Sequence, residues 1–381
     1  MAKIKVLHVL TVLNKGGLET MLMNYFRNIN KDRFEFHFLV QRESGYYERE
    51  VIESGGYIHR VNQLSYSPLK MIKYLKQMNS FFKNNQFDVV HVHSDQFGYF
   101  PLKYAKKNGC DNLIIHCHST NSEGSFLKKA IGIFLNKRLF SLTKNYFACS
   151  ENAGKWMYGD KKFIVINNAI DIDDYYFKSE IRESYRKKIV EIQKINIVHI
   201  GRFNLPKNHL FLLDVFAEII KKNDNYKLFL VGDGELRPQI LSKIKELGLE
   251  NKVQLLGIRN DIPELLQAMD IFLFPSLFEG LPVSLVEAQA TGIKCVISDG
   301  VPEEAILIPE NVEVISLKKS AKEWADKILQ IQNFDRKDVS EMIKEKGYDI
   351  KENAKKLEKK YKELVKQYKK IPHLYQPNQN Q

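Results

Sequence analysis

Residues 271–292 read IFLFPSLFEGLPVSLVEAQATG, and this stretch decides how the rest of the chain is read. Residues 271–274 are a short apolar run of the kind that fills a buried parallel strand. Pro275, Gly280 and Pro282 break it. Pro282 suits the first helical turn, where its missing N–H is no loss. Residues 283–290 continue as helix, and Gly292 ends it. A helix N-terminus then stands at the C-terminal edge of a sheet, and the N–H groups of Val283 and Ser284 suit an anion such as phosphate. Glu279 lies in the loop, and Glu287 follows eight residues later. A bound phosphate repels a carboxylate, so Glu279 suits the hydroxyls of a neutral group attached to that phosphate. Glu287 suits a second set of hydroxyls, such as a ribose. The plainer alternative is dipole complementation by Glu279 and a solvated helix face for Glu287.

The chain has 381 residues, long enough for two domains with full cores. Its apolar and charged fractions, 44% and 27%, are those of a globular protein. Cys110, Cys117, Cys149 and Cys295 show no metal or disulfide spacing and read as reduced cytosolic thiols. The start, MAKIKVLHVL, reads as a first strand rather than a signal peptide. No run approaches the roughly 18 apolar residues of a membrane span. Charge is uneven. Residues 1–170 hold 24 Lys+Arg against 13 Asp+Glu, and the remainder holds 34 against 33. A basic half points to an anionic partner, nucleic acid or membrane.

Strands and helices alternate along the chain. Strand 4–10 precedes Gly16-Gly17, where backbone can approach a ligand closely, and then helix 18–28. Strand 34–40 follows. Helix 68–84 places Leu69, Ile72, Leu75, Met78 and Phe82 on one expected apolar face. Strand 87–94 puts His91 and His93 on one face, and strand 113–119 carries His118 at its end, where ligands of open α/β sheets bind. Residues 125–144 are apolar with Lys128, Lys129, Lys137, Arg138 and Lys144, which fits either a core helix or one lying on an anionic bilayer. Asp171-Ile172-Asp173 spells D-x-D but sits in an expected linker, so it is read as chance. After strand 195–201, Arg202 and Lys207 suit a diphosphate, one as a fork and one as a point charge. Asp261 and Glu264 fit a capping box.

The segment FEGLPVSLVEAQATG resembles the E-x7-E signature of retaining glycosyltransferases of family GT4, which have the GT-B fold. Gly16-Gly17-Leu18-Glu19 resembles that family's GG-x-E, and GRFNLPKNH its Arg/Lys segment. Residues 162–170 resemble a further family segment, with Ala169 where Gly is usual at the interdomain hinge. The resemblance implies an α/β chain of two Rossmann-like domains facing across a cleft. The expected divisions are 1–171 on the acceptor side, a linker at 172–194, and a nucleotide-sugar domain at 195–354. A helix at 355–371 is expected to cross back to the first domain.

The resemblance also implies transfer of a hexosyl unit from a nucleotide sugar, UDP-linked, with retention and without metal or other cofactor. Glu279 and His118 then contact the donor sugar, Arg202 and Lys207 neutralise the leaving diphosphate, and Glu287 binds the ribose. Gly16, Gly17, Ile258, Gly280, Leu281, Val283 and Ser284 complete the donor site, with backbone near Ile258 reading the base. Similar enzymes build capsules and exopolysaccharides on lipid-linked saccharides. The expected partners are therefore donor, saccharide acceptor and an anionic membrane rather than nucleic acid, with a cytoplasmic or peripheral location at the plasma membrane. Two rivals are a nucleotide-sugar 2-epimerase of the same fold and a non-catalytic partner subunit. The intact Arg202, Lys207, Glu279 and Glu287 argue against the second.

Overall fold

The computed structural model describes residues 2–65, 67–118, 126–189, 193–331 and 334–369. The chain divides into two compact units, Met1–Ile166 with Lys351–Gln381, and Asn167–Ile350. The first unit runs β1 (Ile4–Val9), α1 (Gly17–Asn28), β2 (Phe34–Val40), α2 (Glu48–Glu53), β3 (Tyr57–Arg60), α3 (Pro68–Asn84), β4 (Val89–His93), α4 (Tyr99–Lys107), β5 (Leu113–Cys117), α5 (Phe126–Leu142), β6 (Asn145–Ala148), α6 (Glu151–Tyr158) and β7 (Ile164–Val165). The second runs α7 (Ile172–Tyr175), α8 (Ser179–Ile189), β8 (Ile195–Ile200), α9 (His209–Lys222), β9 (Tyr226–Val231), α10 (Arg237–Glu246), β10 (Val253–Gly257), α11 (Ile262–Ala268), β11 (Ile271–Phe274), α12 (Val283–Ala290), β12 (Lys294–Ser298), β13 (Val312–Ile315), α13 (Ala321–Leu329) and α14 (Ser340–Glu345). The chain then enters α15 (Ile350–Lys369), whose residues from Lys351 onward belong to the first unit.

Each unit is a parallel sheet. The orders are β3-β2-β1-β4-β5-β6-β7 and β10-β9-β8-β11-β12-β13. Both reverse direction between the first strand and its neighbour, at β1/β4 and at β8/β11. That is the doubly wound Rossmann arrangement, and ligands bind beyond the strand ends at such a reversal. The central strands are buried because helices cover both faces of each sheet. In the second unit Ile197, Leu228, Leu230 and Leu273 pack with Phe216 and Trp324 in one core.

Three expectations change. The linker expected at 172–194 is instead part of the second unit, as α7 and α8. Arg182 and Arg186 of α8 bind the Asp270 carboxylate at 2.5 and 2.9 Å and donate to the carbonyls of Gln267, Met269 and Ala268. A polar, charged composition had hidden a segment held by ion pairs rather than by an apolar stripe. The expected apolar face of α3 also shifts. Tyr74, Met78 and Phe82 are buried, whereas Leu69 is 81% and Ile72 51% exposed. Finally, Asp261 makes no side-chain cap. It pairs with Arg259 at 2.7 Å and accepts from the Tyr185 hydroxyl.

Tyr361 anchors α15 in the first unit. It is fully buried beside Phe34 and Phe36, and its hydroxyl meets His91 Nδ1 at 2.8 Å. Glu358, one turn earlier, accepts from the Asn30 backbone N–H at 2.9 Å. No helix among the described residues is long and apolar enough to cross a membrane.

Candidate active site

In the second unit, β8 and β11 deliver two loops to the same sheet edge. Past β8, residues 205–207 form a single 3-10 turn, and Asn208 takes a left-handed conformation (φ 56°) to start α9. Past β11, residues 275–282 lead to α12. Two hydrogen bonds tie these loops: Leu277 N–H to the Pro206 carbonyl at 2.8 Å, and the Asn208 side chain to the Pro275 carbonyl at 3.1 Å. The result brings Lys207 to Glu279, with Nζ to Oε1 at 2.6 Å and side chains only 16% and 12% exposed. Lys207 Nζ also lies 4.5 Å from the centre of the Phe274 ring. Pro282 stands just outside α12 as its N-cap residue, rather than in its first turn. Leu285 and Val286 both donate to the Pro282 carbonyl, so intrahelical bonding begins there, and the N–H groups of Val283 and Ser284 precede it.

Glu287 is buried one turn further along α12, where its Oε1 accepts from the Tyr175 hydroxyl at 2.9 Å. Tyr175 lies in the segment read as linker, so no local signal pointed to it. Leu281 is fixed through its carbonyl by the Asn168 side chain at 2.6 Å. Arg202 differs from Lys207. It is 63% exposed and meets Glu235 at 3.1 Å. Such a surface pair is worth about 0–1 kcal/mol, so a diphosphate can replace Glu235 at little cost. Ile258, just past the left-handed Gly257, is half exposed. Behind Lys207 lie two buried imidazoles. His199 Nδ1 bonds the Leu273 carbonyl at 2.9 Å, and neither nitrogen of His209 has a hydrogen-bond partner among the described residues. Burial, with Lys207 nearby, holds His209 down at about 3.

In the first unit, Gly16 is the N-cap residue of α1, and Glu19 folds back over it so closely that a Cβ there would meet Glu19 Oε2 at 2.4 Å. Gly17 opens the helix. The strand reversal at β1/β4 holds a cavity of about 500 Å³, lined by Thr11, Gln41, Arg42, Asp95, His93 and His118 among others. His118 stands one residue past β5, as the sequence reading placed it.

The sequence reading singles out only His91 and His93, on one strand face, and His118 among the histidines of this sheet. Strand register gathers five of them on one face, because His8 pairs with His91 across β1/β4 and His93 with His116 across β4/β5. Two hydrogen-bonded files result. His8 Nδ1 meets His93 Nε2 at 2.9 Å, and His93 Nδ1 meets His118 Nε2 at 3.0 Å. Beside this file, Tyr361 meets His91, whose Nε2 meets His116 Nδ1 at 3.1 Å. Burial first, then the neighbouring imidazoles, push His91, His93 and His116 well below the usual range. Burial alone brings His118 to about 3, and burial with His37 brings His8 to about 3. Nitrogens of His8, His91 and His93, and of His93, His116 and His118, lie within 4.8 Å of one another. These rings already bond one another, and a tetrahedral ion at about 2.0–2.1 Å from each nitrogen would have to break those bonds.

Residues 15–174 match the family described as Glycosyltransferase Family 4, and residues 194–333 match the family described as Glycosyl transferases group 1. The chain is 32% identical to the protein EpsF of Bacillus subtilis (strain 168), over 91% of this chain and 93% of that one. It is 28% identical to the UDP-Gal:alpha-D-GlcNAc-diphosphoundecaprenol alpha-1,3-galactosyltransferase of Escherichia coli, over 78% and 80%. Among solved structures, Anabaena HepE in complex with UDP and glucose shares the fold. Its TM-score is 0.72 at 19% identity, over 96% of this chain and 98% of that one. The chain belongs to glycosyltransferase family 4, and it is a glycosyltransferase.

Proposed function

We propose that this glycosyltransferase moves a hexosyl unit, with retention, from a UDP-sugar to a lipid-linked saccharide during assembly of a cell-surface polysaccharide. The observation that carries the reading is the half-buried Lys207–Glu279 pair at the β8/β11 reversal, beside the start of α12. In this reading the donor diphosphate takes over Lys207, with Arg202 and the N–H groups of Val283 and Ser284 completing its charge compensation. Glu279, released from Lys207, then accepts hydrogen bonds from the sugar hydroxyls, and Glu287, oriented by Tyr175, takes the ribose. Gly280 and Leu281 line the turn between them, and Ile258 meets the base; in the first unit, Gly16 and Gly17 let backbone approach a ligand closely. The E. coli relative's named substrates support a UDP donor and a diphosphoundecaprenol-linked acceptor.

The basic first unit supports a place at an anionic membrane surface. α3, α4 and α5 pack side by side. Together they expose Leu69, Ile72, Ile133 and Phe134 among Lys70, Lys73, Lys137 and Arg138. Apolar side chains set among cations are what a peripheral interfacial surface needs. A panel of nucleotide sugars, each offered with and without an undecaprenyl-diphosphate saccharide, tests the function. Acceptor-dependent release of UDP with an α-linked product from an α-linked donor is expected. Inversion of the anomeric centre overturns retention, and epimer formation without acceptor overturns transfer. Catalysis is proposed to need no metal, so EDTA is expected to leave the rate unchanged. Full loss with EDTA, restored by Mn²⁺ or Mg²⁺, would refute that.

A further inference from the structure

The file His8–His93–His118 has a property that its members lack singly. At neutral pH each ring is neutral, because burial holds His8 and His118 near 3 and His93 well below the usual range. A neutral imidazole has one donor and one acceptor nitrogen. His93 uses both, Nε2 toward His8 Nδ1 and Nδ1 toward His118 Nε2. Only two proton arrangements satisfy both bonds. Either all three rings carry the proton on Nε2, or all three carry it on Nδ1.

The far end of the file selects between them. His8 Nε2 is buried and has no hydrogen-bond partner among the described residues. Its ring lies 4.4 Å from the Phe36 ring, tilted by 51°, and 5.7 Å from Phe38. Phe38 stacks on the ring at 26°, so only the tilted Phe36 can offer its face to a ring edge, where an N–H gains weakly and a bare nitrogen lone pair is repelled. The Nε2–H form is also the ordinary preference of imidazole. Reversing the file would require a proton to leave at His8 Nε2, where nothing accepts it.

We infer that His8 and His93 are positioning residues that lock His118 as the Nε2–H tautomer, leaving its Nδ1 as a hydrogen-bond acceptor at the cavity of the first unit. That nitrogen has no hydrogen-bond partner among the described residues. The group it recognises is a donor such as a hydroxyl. On the glycosyl-transfer reading, on which only this consequence rests, the group is a sugar hydroxyl. A base this weak cannot hold a proton near neutral pH. As an acceptor, His118 orients the hydroxyl.

The test is a long-range ¹H–¹⁵N spectrum of the full-length protein labelled with ¹⁵N-histidine, without substrates, at neutral pH. It involves no turnover, so its failure is distinct from failure of the transferase reading. In the unsubstituted protein the ring shifts of His8, His93 and His118 are expected to report Nε2–H in all three. In His93→Leu the His118 signals are expected to move toward the average of both tautomers. In His93→Asn, whose carbonyl can accept from His118 Nε2–H, the locked pattern is expected to return. A proton on Nδ1 in any of the three rings of the unsubstituted protein overturns the inference, even if no variant folds. So does an unchanged His118 in His93→Leu.

Discussion

The two units share one strand order but stabilise their ligand edges by opposite means. Unit 1, with α15 included, holds 33 Lys+Arg and 16 Asp+Glu, a net charge of +17, whereas unit 2 holds 25 and 30, a net charge of −5. Behind the cavity of unit 1 lies a neutral imidazole ladder. The corresponding edge of unit 2 holds an ion pair, Lys207–Glu279. A basic unit that also buries charged histidines would be penalised twice, by desolvation and by repulsion, and neutrality of the ladder avoids both. In unit 2 the half-buried Lys207 has a carboxylate partner, which on the proposed function a diphosphate displaces. One sheet architecture thus carries a neutral imidazole ladder in one unit and an ion pair in the other.

Acid should separate the units most strongly. Burial holds His8 and His118 of unit 1 and His209 of unit 2 near 3, far below the value of an unfolded histidine. The unfolded chain binds more protons between these limits, so this stability is complete above about pH 6.5 and is lost as pH falls toward 3. Each such group costs ~2 kcal/mol between pH 7 and pH 5. His91, His93 and His116 shift the same way in unit 1, as do His37 and His59, whereas His199 alone adds to unit 2. Hydrogen exchange at pH 7 and pH 5 should show β1, β4 and β5 losing protection before β8, β9 and β11. Loss in the reverse order would erase the contrast.

Charge is the next lever. Replacing Lys70, Lys73 and Lys137 together by Gln should weaken binding to vesicles rich in anionic lipid on the order of a hundredfold, at about 1 kcal/mol per lysine. Binding should also fall with added salt. Replacing Lys187, Lys188 and Lys245 of unit 2 is the control, and equal losses would show that the asymmetry is irrelevant to the membrane.

At the unit 2 edge, Lys207→Ala should cut transfer at least tenfold, about 1.4 kcal/mol of transition-state stabilisation. It should also lower thermal stability, since it removes the half-buried cation that meets Glu279. Initial rates beside a melting curve separate the two effects, and an unchanged rate would remove Lys207 from the diphosphate site.

The smallest effect sharpens the division within that edge. Tyr175→Phe deletes one hydrogen bond to Glu287, worth about 0.5–1.5 kcal/mol, so nucleoside-diphosphate affinity should fall roughly threefold to tenfold. Glu287→Gln should weaken that affinity too, whereas Glu279→Gln should leave it nearly unchanged and lower turnover. Calorimetric titration with free UDP reads all three, and the opposite pattern for the two glutamates would reverse their roles.

Much of this was legible in the sequence, because local periodicity encodes local elements. β2, α3, β11 and α12 stand at the residues that apolar runs, Pro282 and Gly292 mark out. The spacing of Glu279 and Glu287, with Arg202 and Lys207 past a strand end, pointed to one edge of one sheet. Less local features escaped. Residues 172–194 looked like linker because their stability comes from Asp270 and carbonyls far along the chain. The α3 stripe was misplaced because periodicity names an apolar face without saying which part of it meets a neighbour.

The sequence by itself determined the alternation of strand and helix, the two-unit α/β class, and the family. These follow from residue order within short windows, where steric and hydrophobic preferences act directly. Only the tertiary structure decided that Lys207 meets Glu279, that Tyr175 holds Glu287, and that five histidines form two files. His8 and His93 are 85 positions apart, and His91 and Tyr361 are 270 apart. Strand order and register set those meetings, and no local preference of the chain carries that information.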